Sequence, residues 1–177
     1  MRRRWWLAAC WALVWGAGCG REAGEPPRPG MYVAWNKMWP DKAVRSVGFE
    51  RPNNWTVVVK RRRRQVTVSA TSSEFWRLRQ YPNAAQTDPA TFADALTTRQ
   101  RRRYGENLLT SHRSETEINE LGGIKLDYEL LDGSLRGTRY VLAGGWVLEY
   151  QYRPAYRALV QPAFVHLTSS LLLTENR

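Results

Sequence analysis

The sequence predicts an α+β domain in which helices pack on an antiparallel sheet. Two observations carry this. Short runs of β-branched and aromatic residues are punctuated by Gly, Asn and Pro turn signals. Their order is strands, one capped helix, a meander and a last helix-periodic stretch, which is the α+β pattern.

Val47–Glu50 reads as a short extended piece. Pro52-Asn53-Asn54 then turns the chain, because Pro fixes φ and Asn tolerates the left-handed region. Trp55–Val59 and Gln65–Ala70 are β-rich, and the four residues Arg61–Arg64 between them suit a hairpin tip. A solvated tip accounts for the run without a ligand, since like charges repel least there and keep strand edges apart. The same four arginines are also the anion-binding candidates of the chain.

The clearest helix follows. Asp88 caps it, Pro89 takes its first position and Gly105 ends it, with Phe92, Ala95 and Leu96 as the apolar stripe. Arg99 and Arg101–Arg103 fall in its last turn, where cations offset the negative end of the helix dipole. From Glu115 the chain reads as four alternating runs, with turns expected at Gly122-Gly123, Asp132-Gly133 and Gly144-Gly145. Glu115 and Glu117 share one wet face. Trp146, Leu148, Tyr150 and Tyr152 share an aromatic one. Pro162 marks the start of a final helix, with Phe164, Leu167, Thr168 and Leu171 on one side.

The beginning of the chain sets the expected compartment. Arg2–Arg4 precede an uncharged stretch from Trp5 to Cys19, the layout of an export signal. Its 15 residues are short for a membrane span, which needs roughly 20. Cys10 and Cys19 each resemble the acylated cysteine of bacterial lipoproteins. Leu7-Ala8-Ala9-Cys10 has the usual Leu but too short an apolar lead, and Gly16-Ala17-Gly18-Cys19 has the lead with Gly in place of Leu. Length is the physical requirement, so Cys19 is the expected lipidation site, with cleavage there without lipid as the alternative. The expected organisation is a signal at residues 1–18, a Gly- and Pro-rich tether at 19–30 and one domain at 31–177. Gly20, where inner-membrane retention in enteric-type sorting uses Asp, points to the outer membrane and a domain facing the periplasm.

Charge is uneven. The chain carries +11, and +8 without residues 1–18. Residues 45–103 hold 13 Lys and Arg against 4 Asp and Glu, whereas residues 104–177 hold 7 against 9. The basic half favours anionic partners. Export removes nucleic acid as the partner, and the arginine run lacks the interleaved aromatics that stack bases.

Catalytic patterns are absent. The sequence has no Gly-x-Ser-x-Gly, P-loop or Gly-x-Gly-x-x-Gly, and His112 and His166 lack metal-ligand spacing. A domain without Cys10 and Cys19 has no thiol for catalysis, zinc or a disulfide. No enzyme activity, cofactor or metal is expected.

Phe49, the Pro52–Trp55 segment, the run Val66–Ser69, the capped helix, the Gly-Gly-centred meander ending in Trp146–Tyr152, and Pro162-x-Phe164 before Ser169-Ser170 together resemble the PsbP/DcrB-like domains. The resemblance covers most of residues 45–173. It implies a sandwich of helices about an antiparallel sheet, and a non-enzymatic accessory or binding role with no shared catalytic residue. Many such domains are bacterial lipoproteins or lumenal accessory proteins of plastids. The expected function is therefore a membrane-anchored envelope lipoprotein with an accessory or binding domain. The alternative is a basic domain bound to anionic polymer or lipid phosphate. Its partners would be the membrane, through the lipid, and an envelope protein or anionic polymer, with the domain itself a monomer.

Overall fold

Ten strands form two antiparallel sheets in the computed structural model, which describes residues 25–39 and 44–175. Residues 1–18, Cys10 and Cys19 lie outside the described residues. The strands are β1 (Tyr32–Met38), β2 (Val44–Pro52), β3 (Thr56–Lys60), β4 (Gln65–Ser69) and β5 (Phe75–Gln80). After helix α1 (Pro89–Tyr104) come β6 (Leu108–Ile118), β7 (Leu121–Leu130), β8 (Arg136–Leu142) and β9 (Trp146–Tyr152), then helix α2 (Arg157–Ser169) and β10 (Leu172–Glu175). The large sheet runs β3-β4-β5-β9-β8-β7-β6, and the small one β1-β2-β10.

Alternation divides the large sheet into two faces. Val66, Val68, Trp76, Leu78 and Leu148 point inward, against α2 and the small sheet. Phe49 meets Trp76 at 5.0 Å between ring centroids, and Tyr150 stacks on Phe164 at 5.3 Å. Burying each such side chain contributes about 1.5–3 kcal/mol, so this layer holds the fold. The outer face is covered in part by α1, where Ala93 packs with Leu126 and Val141.

Several elements lie where the sequence places them. Lys60 pairs with Gln65, leaving Arg61–Arg64 as the hairpin tip. Asp88 caps α1 through Thr91 N–H, which donates to Oδ2 at 2.9 Å, and Gly105 ends the helix at φ 61°. Asp132-Gly133 and Gly144-Gly145 make turns, with the three glycines at positive φ.

Others differ for physical reasons. The turn before β7 is Asn119-Glu120, both left-handed (φ 53° and 63°), which matches the twist of a two-residue hairpin. Gly122 and Gly123 lie inside β7. A Cβ on Gly123 would stand 2.2 Å from the Val141 carbonyl oxygen, so that glycine serves close strand approach. Pro162 sits within α2 and not at its start, because the turn Pro154–Tyr156 already initiates the helix. In α1 the buried alanine is Ala93, and Ala95 is exposed. Counting 100° per residue, Ala95 falls well off the face shared by Phe92, Ala93 and Leu96.

The chain enters the domain at the Pro52–Trp55 turn. Trp55 Nε1 donates to Pro27 O at 3.3 Å, Asn54 Nδ2 donates to Arg28 O at 2.7 Å, and Gly30 N–H donates to Asn54 Oδ1 at 2.9 Å. The last part of the expected tether is thus fastened to the domain. Among the described residues no helix is long and apolar enough to cross a membrane.

Candidate functional site

On the outer face, β5 presents Phe75, Arg77 and Arg79 while Trp76 and Leu78 enter the core. β9 pairs with β5 in the register Arg77–Glu149, which brings Glu149 beside Arg77. β8 pairs with β9 in the register Arg139–Glu149 and adds Arg139. The later turns of α1 stand above these strands and contribute Leu96, Arg99, Gln100, Arg103 and Tyr104. Between helix and sheet lies a cleft of about 420 Å³, lined by five arginines and one carboxylate.

That carboxylate, Glu149, is only 4% exposed. Its Oε1 accepts from Arg139 Nη2 at 2.6 Å and from the Tyr128 hydroxyl at 3.0 Å, and its Oε2 pairs with Arg77. Burial alone would raise its pKa. The charges and hydrogen bonds of Arg139 and Arg77 outweigh burial and hold it down to about 2. Burial, reinforced by the Glu149 charge, pushes the Tyr128 phenol well up. Arg139 also donates through Nη1 to Gln100 Oε1 at 2.8 Å, which ties α1 to the floor of the cleft. Glu149 is therefore fixed as an anion that orients two guanidinium groups.

The remaining arginines are less occupied. Arg79 lies over the Tyr81 ring at 4.1 Å, with its Nε buried and without a hydrogen-bond partner among the described residues. Arg103 lies over Tyr104 at 5.2 Å, and Arg77, already paired with Glu149, lies over Phe75 at 4.9 Å. Arg99 and Arg103 are exposed on consecutive turns of α1. Neither has a salt bridge among the described residues.

Arg61–Arg64 are placed otherwise. Arg61–Arg63 form an exposed 3₁₀ turn, and Arg64 closes it in the left-handed region. Arg64 is tied to the sheet, its Nη1 donating to Gln80 Oε1 at 2.9 Å and its carbonyl accepting from Gln80 N–H. Arg61 borders a shallow groove with Lys37, Met38, Trp39 and Val59, and Met38 is 73% exposed. The tip and the cleft are neighbours, because Gln65, the residue after the tip, pairs with Arg79.

The other polar residues read from the sequence stay apart. His112 is exposed on β6, and His166 on α2 lies 2.7 Å from Glu50 of the small sheet. Glu115 and Glu117 project to solvent from β6. Among the described residues no group of three or more His, Cys, Asp or Glu side chains converges as a metal site would. The cleft itself was signalled in part. Alternation in FWRLRQ sets two arginines on one face, and the acid in WVLEYQY stands alone in an otherwise uncharged strand. What joins them is strand register and the crossing of α1, and no local pattern encodes either.

Comparison with one solved structure supports the architecture. The solution structure of cyanobacterial PsbP (CyanoP) from Synechocystis sp. PCC 6803 superposes with a TM-score of 0.56 at 12% sequence identity, over 85% of this chain and 98% of that one. A Pseudomonas aeruginosa protein of unknown function aligns at 12% identity over 81% of this chain and 97% of its own, with a TM-score of 0.45. No protein-family model and no curated protein matches the chain. The chain has the PsbP-like α+β fold that the resemblance implied.

Proposed function

We propose that the protein is exported through residues 1–18, anchored in the cell envelope by a lipid on Cys19, and binds an anionic envelope component with a non-catalytic domain. One observation carries the ligand class. Five arginines line one cleft against a single carboxylate, and two of the five already occupy that carboxylate. Such a surplus, walled by protein, concentrates field and attracts anions. Glu149, the one acid in the cleft, supports the non-catalytic reading. With its pKa near 2 and both oxygens engaged, it offers no base poised near neutral pH.

The position of the anchor supports a ligand beyond the anchored leaflet. The tether joins the domain at the Trp55 end of β3, and the arginine tip begins at the Lys60 end, a five-residue strand or ~16 Å away. β1 gives the same sense, running from Tyr32 beside Pro52 to Met38 beside Arg61. A fully extended chain from Cys19 to Pro26 spans at most ~28 Å. A domain held in this way can turn its arginines outward into the envelope, and Arg61–Arg63 at the tip make an accessory contact with the same anionic material.

Two measurements test the reading. Mass spectrometry of the mature protein is expected to find an acylated Cys19 at its start, and residues 1–18 still attached contradict the anchor. Thermal unfolding of the full chain in nonionic detergent, with citrate, sulfate or pyrophosphate added, is expected to show a saturable rise in Tm. An unchanged Tm with every anion removes the binding function.

A further inference from the structure

We propose that the cleft holds a terminal phosphate, a phosphomonoester or diphosphate group, between the strand pair Arg77 and Arg79 and the helix pair Arg99 and Arg103. This rests on the anionic-ligand reading and narrows it. Charge sets the first limit. Five guanidinium groups and one carboxylate leave a surplus of four positive charges in the cleft. A phosphodiester brings one negative charge, whereas a phosphomonoester brings about 1.5–2 at neutral pH and a diphosphate more.

Donor geometry sets the second limit. Arg77 and Arg79 are two apart on a strand and share its outer face. Arg99 and Arg103 are four apart on α1 and sit one turn above the other. Two pairs of forked donors thus oppose each other across the opening. A carboxylate has two oxygens, which one guanidinium fork can fill. A terminal phosphate has three free oxygens in a tetrahedron and accepts forks from both walls. Arg139 belongs to the floor, because Glu149 and Gln100 already hold it. It positions Glu149 and thereby Arg77.

The rings of the cleft set the third limit. Phe75, Tyr81 and Tyr104 each lie beneath an arginine, at 4.9, 4.1 and 5.2 Å from the guanidinium carbon. Each guanidinium covers a ring face that would otherwise receive a nucleobase. The cleft therefore reads the phosphate and leaves the rest of the ligand unread. Arg79 Nε is buried without a partner among the described residues, so the charge of an anion held at the outer Nη atoms would offset part of its desolvation.

The test is calorimetric titration of the full chain, in nonionic detergent at about 150 mM salt, with phenyl phosphate and pyrophosphate against diphenyl phosphate and citrate. Phenyl phosphate and pyrophosphate are expected to bind one per chain. Arg99→Gln with Arg103→Gln is expected to weaken both by about tenfold or more. These residues are exposed, so the variant keeps its fold, which an unchanged Tm without ligand verifies. Arg79→Lys, which keeps the charge and loses the fork, is expected to weaken binding several-fold. Diphenyl phosphate and citrate binding as tightly, and lost in the same variants, would overturn the terminal phosphate and leave the anionic cleft standing. No binding of any anion would overturn both. Vesicles bearing phosphatidic acid, compared with phosphatidylglycerol vesicles of matched surface charge, distinguish a lipid headgroup from a free phosphate as the source.

Discussion

Arg61–Arg64 and the arginines of the cleft carry comparable charge under different constraints. The first four follow one another in the sequence and meet mostly water at the end of a hairpin, with Arg64 alone drawn back to Gln80. The cleft gathers Arg77, Arg79, Arg99, Arg103 and Arg139 from two strands and a helix, around a buried carboxylate and three aromatic rings. Density along the chain therefore says little about organisation in space. A run of like charges is stable where it is solvated, and solvation leaves its side chains unoriented. Charges brought together by tertiary structure need partners, and those partners orient them.

The largest expected effect tests how far the cleft is wired into the fold. Glu149→Ala removes the acceptor that Arg77, Arg139 and the Tyr128 hydroxyl share, and is expected to cost about 3–5 kcal/mol in urea unfolding. A loss within about 0.5 kcal/mol, as expected for an exposed substitution, would make the cleft no more built than the tip.

Acid sharpens the same contrast. Glu149 has a folded pKa of about 2 against an ordinary 4.5, so between those values the unfolded chain binds the proton first. Its stabilisation is complete above that window and is lost as pH falls through it. Glu74 acts in the same direction. Burial would raise it, but hydrogen bonds from Arg153 and Thr71 hold it low. Urea midpoints measured from pH 5 to pH 2 are expected to fall steeply in the native protein and less steeply in Glu149→Gln. Replacing Arg61–Arg63 by Gln is expected to leave that curve unmoved.

The smallest expected effect is at the tip. Arg61→Gln, Arg62→Gln and Arg63→Gln together are expected to shift the urea midpoint by less than the equivalent of about 0.5 kcal/mol, since all three are exposed and unpaired among the described residues. A larger loss would reveal that the tip shapes the hairpin beyond supplying charge.

The legible and illegible parts of the molecule divide along the same line. The hairpin, the cap at Asp88 and the turns at Asp132-Gly133 and Gly144-Gly145 are local, so a few adjacent residues specify them. Gly122-Gly123 misleads because glycine marks close strand approach as well as turns, and only the Val141 carbonyl above Gly123 distinguishes the two. β10 escapes notice because its partner is β2, more than a hundred residues earlier in the chain, so its pairing depends on contacts distant in sequence. The cleft is illegible for that reason too. Its arginines are visible one by one, while their convergence depends on β5 lying beside β9 and on α1 crossing the outer face.

On the binding proposed here, the assembled cleft and not the contiguous run holds the anion. The deciding measurement is pyrophosphate affinity across a salt series for the native full chain, the Arg99→Gln/Arg103→Gln variant and the Arg61→Gln/Arg62→Gln/Arg63→Gln variant. The cleft variant is expected to lose about tenfold at physiological ionic strength. The tip variant is predicted to differ from the native chain only at low salt. Equal losses from the two variants, or a greater loss from the tip variant at physiological salt, would contradict it.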